Sequence, residues 1–285
     1  MGYEHIDVQQ VAGALGAEIN GVDLGQPMDD DTFGEIHAAY LEHQVIFFRD
    51  QHMTPDQHKA FGRRFGALNI HPQYLPLDGH PEILPVLKEP ADANNIGGVW
   101  HADVTFFPEP VMGSILYALE APDVGGDTMF ASQYRAYETL SDGMKDMLGG
   151  LTSFHSDDVL SDPDNARKRN ATRSTKLRED TNGGPSIASD HPVVCTHPET
   201  GRKLLYVNRA FTRHFTDMTE AESQPLLDFL YAHMTKPEFT CRFRWEKNSV
   251  AFWDNRCVQH YALNDYPGQR RSMHRVTIEG GRPSQ

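Results

Sequence analysis

Cysteine is scarce in this chain, and so is positive charge. Its 285 residues contain 3 cysteines, Cys195, Cys241 and Cys257, an odd number with no two at C-x-x-C spacing. That pattern argues against a disulfide framework and against a zinc–thiolate site. Lys and Arg number 26 against 40 Asp and Glu, a formal net charge of −14. Nucleic-acid binding through a basic face is therefore not expected. Small anions are not excluded, because a few local arginines suffice for them. No apolar run approaches the roughly 20 residues of a bilayer span, so no membrane association is expected. The first residues, Met1 to Asp7, lack the basic and apolar stretches of a signal peptide, and Ile6 stands where a myristoylation signal needs Ser or Thr. A cytoplasmic location is expected.

The apolar share, 39% of residues, is enough to bury a substantial core in one large domain, 1–285. Capping boxes at Thr32-x-x-Glu35, Thr54-Pro55-Asp56-Gln57 and Thr219-x-x-Glu222 predict three helix starts. Between them lie many short apolar runs bounded by Gly, Pro, Asn and Asp, including Ile83–Val86, Ser114–Leu119, Thr128–Ala131, Phe239–Trp245, Val250–Trp253 and Ser272–Ile278. Short strands without regular βα alternation predict a mainly β fold with flanking helices, a sandwich or jelly-roll barrel. Residues 156–190 are polar and nearly free of aliphatic side chains after Leu160, which reads as a long mobile loop or lid.

Residues i and i+2 of a strand share a face, so His-x-Asp or His-x-Glu presents an imidazole beside a carboxylate. Five such pairs occur: His5/Asp7, His80/Glu82, His101/Asp103, His155/Asp157 and His197/Glu199. Proline follows His80 and His197, His5 is terminal, and His155 borders the polar segment. His101 and Asp103 alone lie among large apolar residues, from Val99 to Phe107, and there predict a strand. Partly buried, they need each other or a cation. Downstream, the apolar run Phe252-Trp253 leads to His260, with Arg270, Arg271 and Arg275 close behind. A second histidine would complete a two-His, one-carboxylate metal face with open positions. Arg271, Met273 and Arg275 share one strand face, and buried guanidinium groups need carboxylates.

At these residues the chain resembles the taurine dioxygenase (TauD/TfdA) family of iron and 2-oxoglutarate enzymes, from about Gly13 to Pro283. The motifs are Trp-His-x-Asp-Val-Thr-Phe at Trp100–Phe106, Gly-Gly-Asp-Thr at Gly125–Thr128, Val-Asn-x-x-Phe at Val207–Phe211, Trp-Asp-Asn-Arg and Gln-His-Tyr-Ala within Trp253–Ala262, and Gln-Arg-Arg-x-Met-His-Arg at Gln269–Arg275. The resemblance implies a double-stranded β-helix, or jelly roll. It implies Fe(II) on His101, Asp103 and His260, and 2-oxoglutarate held by Thr128 and Arg271, with O2 as the oxidant. It further implies a small anionic substrate met by Arg275, with His71, Tyr74, Val104 and Phe211 on the substrate side. His71 is expected to donate to that anion best when protonated.

Two departures stand out. Gly97 and Gly98 occupy the neighbourhood where taurine-type members carry an amide, and Ser161 falls where they place an aromatic residue. The glycines imply room for more than an aminoethyl chain. Taurine, an alkylsulfonate or a related anion is the expected substrate, hydroxylated with release of succinate and CO2 and then fragmented. An alkyl sulfate or aryloxyalkanoate is the alternative. A zinc-dependent hydrolase and a non-catalytic anion-binding barrel are the rival classes. A homo-oligomer, dimer or tetramer, is expected.

Overall fold

A computed structural model describes residues 2–178 and 186–285. Its strands in chain order are β1 (Asp7–Gln10), β2 (Ala17–Asn20), β3 (Val45–Phe48), β4 (Ile83–Lys88), β5 (Gly113–Glu120), β6 (Thr128–Ser132), β7 (Thr152–Ser156), β8 (Ala188–Pro192), β9 (Val194–Thr196), β10 (Lys203–Leu205), β11 (Thr212–Phe215), β12 (Thr240–Phe243), β13 (Val250–Asp254), β14 (Val258–Ala262) and β15 (Arg271–Ile278). The helices are α1 (Asp30–His43), α2 (Pro55–Arg63), α3 (Gln133–Glu138), α4 (Asp142–Gly149), α5 (Asp158–Ser161), α6 (Pro163–Thr172) and α7 (Glu220–Met234). The chain is mostly strands with flanking helices, as expected.

A seven-stranded sheet runs β1-β2-β3-β13-β5-β15-β4, antiparallel except between β2 and β3. A three-stranded sheet, β12-β6-β14, lies against it. Alternation along each strand decides what fills the space between them. Phe47, Leu116, Trp253 and Met273 of the large sheet meet Phe130, Phe243 and Val258 of the small one in a single buried cluster. Phe47 stacks on Phe243 at 4.1 Å, and Phe130 lies 5.7 Å from both Phe47 and Trp253. The intervening residues Phe48, Ile115 and Phe252 point the other way, against Ile36 and Tyr40 of α1 and Phe61 of α2. The helices thus cover the outer face of the large sheet.

Two of the three capping boxes form as read, at Thr54/Gln57 and Thr219/Glu222. The first does not. Asp29 caps α1 by accepting from the Thr32 N–H, so the helix begins two residues before Thr32. Glu35 instead accepts from the backbone N–H groups of Glu4, His5 and Ile6, tying the N-terminal segment to α1. The polar stretch 156–190 is not a plain loop. Asp162 and Pro163 start α6, a two-residue cap signal, and Ala166 anchors the helix against Tyr74 and Leu177. The remainder of the expected lid, 179–185, lies outside the described residues. Among those described, no helix is long and apolar enough to cross a membrane.

Candidate metal centre

The candidate ligands come together, though not by the route expected. Val99–Phe107 is not a strand. His101 makes an isolated antiparallel bridge to His260 of β14, its N–H donating to the His260 carbonyl at 3.1 Å and its carbonyl accepting from the His260 N–H at 2.8 Å. The chain then turns at once, and Val104 adopts φ 48°, a left-handed conformation that a β-branched residue rarely accepts. Asp103 is therefore aimed by a turn rather than by strand alternation. The bridge sets the two imidazole centroids 4.1 Å apart. Trp253 and Phe130 wall in the His260 ring on β14.

Asp103 is held from three sides. Ser114 Oγ donates to its Oδ2 at 2.8 Å, Arg275 Nη1 donates to its Oδ1 at 3.0 Å, and its own N–H donates to Asn255 Oδ1 at 3.2 Å. Asn255 in turn donates to Ser114 Oγ and accepts from Trp253 Nε1. Asn255 lies in the Trp-Asp-Asn-Arg motif, but the sequence assigned no role to it or to Ser114. Their role arises because β5 and β13 pair with Trp253 opposite Ser114. Burial alone would raise the Asp103 pKa, but Arg275, His260 and His101 outweigh it and hold the carboxyl well below its usual range. Burial also lowers both imidazoles, His260 more than His101, so each ring is neutral and keeps a lone pair. His101 Nδ1 lies 2.7 Å from the Val99 carbonyl oxygen, which places the proton on Nδ1 and frees Nε2, 3.7 Å from Asp103 Oδ1.

One ligand atom from each of His101, Asp103 and His260 lies within 4.8 Å of the others, so the three fit a single divalent ion bound on one face. A second trio, His197, Asp254 and Cys257, is equally close but chemically closed. Asp254 accepts three bonds from Arg256 and one contact from His197 Nε2, while His197 Nδ1 accepts the Glu199 and Thr200 N–H groups. The His155/Asp157 pair is also structural: His155 Nδ1 meets Thr105 at 2.9 Å, and Asp157 accepts from Gln73 and Ser186.

Thr128 and Arg271 meet around Trp245. Trp245 Nε1 donates to Thr128 Oγ1 at 2.9 Å, and the Arg271 guanidinium lies 5.5 Å from the Trp245 ring centroid. Arg271 is buried, and its Nε and Nη2 have no hydrogen-bond partner among the described residues. The Thr128 hydroxyl already accepts, so its own hydrogen remains to donate. On β6 Thr128 pairs with Ala262, two residues beyond the Phe130–His260 pair, or about 7 Å along the strand. A two-donor anion seat thus stands a short chain-length from the metal ligands. A dicarboxylate that also chelates the ion fits it.

On the other side, His71, Tyr74, Val104, Phe211 and Arg275 line one cavity of about 610 Å³ with His101 and Asp103. Val104 and Phe211 supply apolar lining and pack behind it on Phe106 and Val111. Arg275 reaches back to Asp103, leaving Nε without a described partner. His71 departs from expectation. Its Nδ1 accepts from the Gln73 and Tyr74 N–H groups, and burial with the nearby Arg275 charge pushes its pKa down to about 3. Any donation comes from Nε2 of a neutral ring. Gly97, at φ 82°, leaves its Cβ space to the His101 ring, which a Cβ would meet at 3.3 Å. The missing side chain seats a ligand as much as it opens the cavity. Asn94 and Asn95, unnoticed in the sequence, also line this wall.

A two-histidine, one-carboxylate face beside a buried guanidinium lacking its anion defines a mononuclear metal centre with a co-substrate seat. The chain belongs to the family described as taurine catabolism dioxygenase TauD, TfdA family, whose model matches residues 7–277. It is accordingly a 2-oxoglutarate-dependent non-haem iron dioxygenase, using Fe(II) and O2. It is 36% identical over 281 residues to an alkylsulfatase of Acinetobacter baylyi, covering 97% of this chain and 86% of the relative. It is also 36% identical over 281 residues to an alpha-ketoglutarate-dependent sulfate ester dioxygenase of Pseudomonas putida, covering 98% and 91%. A solved taurine dioxygenase from Burkholderia xenovorans superposes with a TM-score of 0.81 at 36% identity, covering 98% and 93%.

Proposed function

We propose that this dioxygenase hydroxylates a small organic anion, an alkyl sulfate or alkylsulfonate before taurine, at the carbon bearing the anionic group. The observation that carries the reading is Arg275, buried at the cavity floor beside Asp103 with a donor to spare, facing the apolar wall of Val104 and Phe211. The names of the two relatives, a sulfatase and a sulfate ester dioxygenase, favour the sulfate ester. Aryloxyalkanoates fit the same anion-plus-apolar pattern. On this reading the large and small sheets form the two faces of a double-stranded β-helix, supported by their shared aromatic core. Residues 156–190 act as a lid, and the chain associates as a dimer or tetramer.

When bound, ferrous iron with 2-oxoglutarate supplies oxidative decarboxylation to succinate and CO2 and delivers one oxygen atom of O2 to a substrate C–H bond. The protein's residues do the positioning. His101, Asp103 and His260 hold the ion, with Ser114, Asn255 and Trp253 fixing the carboxylate. Arg271 forks onto the far carboxylate of 2-oxoglutarate, and Thr128 donates to it. Arg275 seats the substrate's anionic group, neutral His71 donates from Nε2, and Val104 with Phe211 excludes water from the target carbon. A carbon bearing both hydroxyl and sulfate then breaks to an aldehyde and inorganic sulfate.

The test is succinate formation with alkyl sulfates, alkylsulfonates, taurine and aryloxyalkanoates, in the native protein and in Arg275→Ala. The expected result is stimulation by alkyl sulfates, a large rise in their KM in the variant, and retention of slow substrate-independent decarboxylation. Loss of that slow reaction with unchanged substrate affinity would exchange the roles of Arg271 and Arg275.

A further inference from the structure

The cavity wall carries positive charge that no residue of the metal centre explains. Helix α6 buries Ala166 against Tyr74, Arg169 follows at i+3 on the same face, and Arg173 is the extended residue that caps the helix C-terminus. Arg167 and Lys168, between Ala166 and Arg169, are exposed. Both inward arginines line the cavity that holds Arg275. Arg169 Nη1 and Arg173 Nε are buried without a hydrogen-bond partner, and neither guanidinium forms an ion pair among the described residues. Burial, and the adjacent Arg173 charge, push Arg169 below its ordinary value.

The arginines on the other side of the cavity differ. Arg213 is held by Asp158 and by the Ser156 and Ala210 carbonyls, and Arg209 is paired with Asp228 at 3.5 Å. Among the described residues Asp103 is the cavity's only carboxylate, and it is already engaged by Arg275 and Ser114. Two neighbouring half-buried guanidinium groups with no opposing carboxylate among the described residues are unfavourable until an anion joins them.

We propose that Arg169 and Arg173 form a second oxyanion subsite, which binds the far end of the substrate, so that the preferred substrate is a dianion. One oxyanion group sits at Arg275 and the other, a carboxylate or sulfonate, at α6, with the linking chain against Val104 and Phe211. This rests on the reading of Arg275 as the primary anion site. A cavity of about 610 Å³ accommodates a chain well beyond two carbons. Discrimination comes from the unfilled charge: a substrate with an apolar tail leaves both guanidinium groups unsatisfied, whereas a second oxyanion satisfies them.

The experiment is calorimetric binding, without O2, of hexyl sulfate and its omega-carboxylated analogue to the iron- and 2-oxoglutarate-loaded protein. One charge-assisted contact predicts roughly ten-fold tighter binding of the dianion, narrowing with added salt. In Arg169→Gln/Arg173→Gln the ratio of the two dissociation constants falls toward one, and each single variant gives a partial loss should the double variant fold poorly by circular dichroism. Arg275→Gln weakens both ligands and preserves the ratio. A native ratio near one, a ratio unchanged in the α6 variants, or no binding of either ligand overturns the subsite. Failure of Arg275→Gln to weaken either ligand overturns the primary reading instead.

Discussion

Replacing Arg271 by lysine keeps a positive charge but removes the planar fork. The structure sets the magnitude. Arg271 Nε and Nη2 are buried with no described partner, burial pushes the guanidinium below its ordinary value, and Trp245 and Thr128 complete the seat. A carboxylate arriving there satisfies two donors at once, whereas an ammonium offers a single compact charge. Losing one charge-assisted bond costs roughly 1.5–3 kcal/mol, or roughly ten- to a hundred-fold in affinity for 2-oxoglutarate. Anaerobic calorimetric titration of 2-oxoglutarate measures this. A companion variant sharpens it. Arg271→Met removes a buried charge whose Nε and Nη2 have no hydrogen-bond partner among the described residues, so the ligand-free fold should lose about 1 kcal/mol at most. Its thermal stabilisation by 2-oxoglutarate, about 2.7 kcal/mol at a hundred-fold excess over Kd in the native protein, should nearly vanish. Unchanged affinity in Arg271→Lys, or a collapse of the ligand-free fold in Arg271→Met, would refute the argument.

Asp103→Ala should abolish tight iron binding in a ferrous titration, while Asp157→Asn and Glu82→Gln retain it, because those carboxylates are engaged by Gln73 and by Lys59 and Arg63. Ser114→Ala should weaken iron affinity about ten-fold, the usual effect of deleting a ligand's hydrogen-bond support, and native affinity would show that Arg275 and Asn255 suffice. Asp254 gives a pH prediction. Burial raises its pKa, but Arg256 and His197 more than offset this and hold it at about 2, below the ordinary 3.8. A depressed carboxylate contributes stability above its unfolded value and loses it as pH falls through the folded one. About 2 kcal/mol should therefore disappear between pH 4 and pH 2. Asp254→Asn should lose stability at neutral pH and flatten that slope in urea unfolding, and an unchanged slope would assign the acid transition elsewhere.

His101, Asp103 and His260 were legible because their motifs are local, yet the physical reason for their convergence was not. The strand inferred from apolar neighbours is a bridge and a turn, and the left-handed Val104 has no sequence mark. Ser114 and Asn255 were illegible because their contacts depend on strand register between segments far apart in the chain. Arg169 and Arg173 were hidden for a different reason. A low content of aliphatic residues in 156–190 masked the Asp162-Pro163 cap, and only the folded segment reveals that Arg169 of the helix and Arg173 at its C-cap line the cavity. In the two facing sheets β4, β5, β6, β12, β13 and β15 were read to within two residues of their ends, whereas β1, β2 and β14 were not, being short and without a continuous apolar run. The Thr32–Glu35 box misled because Asp29, three residues earlier, offers a better-placed oxygen to the Thr32 N–H.

The backbone bridge between His101 and His260 has a consequence for when the centre comes into being during folding. Its two histidines arrive on distant stretches of chain, and Arg275, which neutralises Asp103, is separated from it by 172 residues. Contacts of such long range close late, after local helices and hairpins. Until β14 and β15 dock, the chain offers iron only scattered imidazoles and carboxylates. Metal capture thus reports completed assembly, and a partly folded chain is spared a redox-active ion it could not yet shield from solvent.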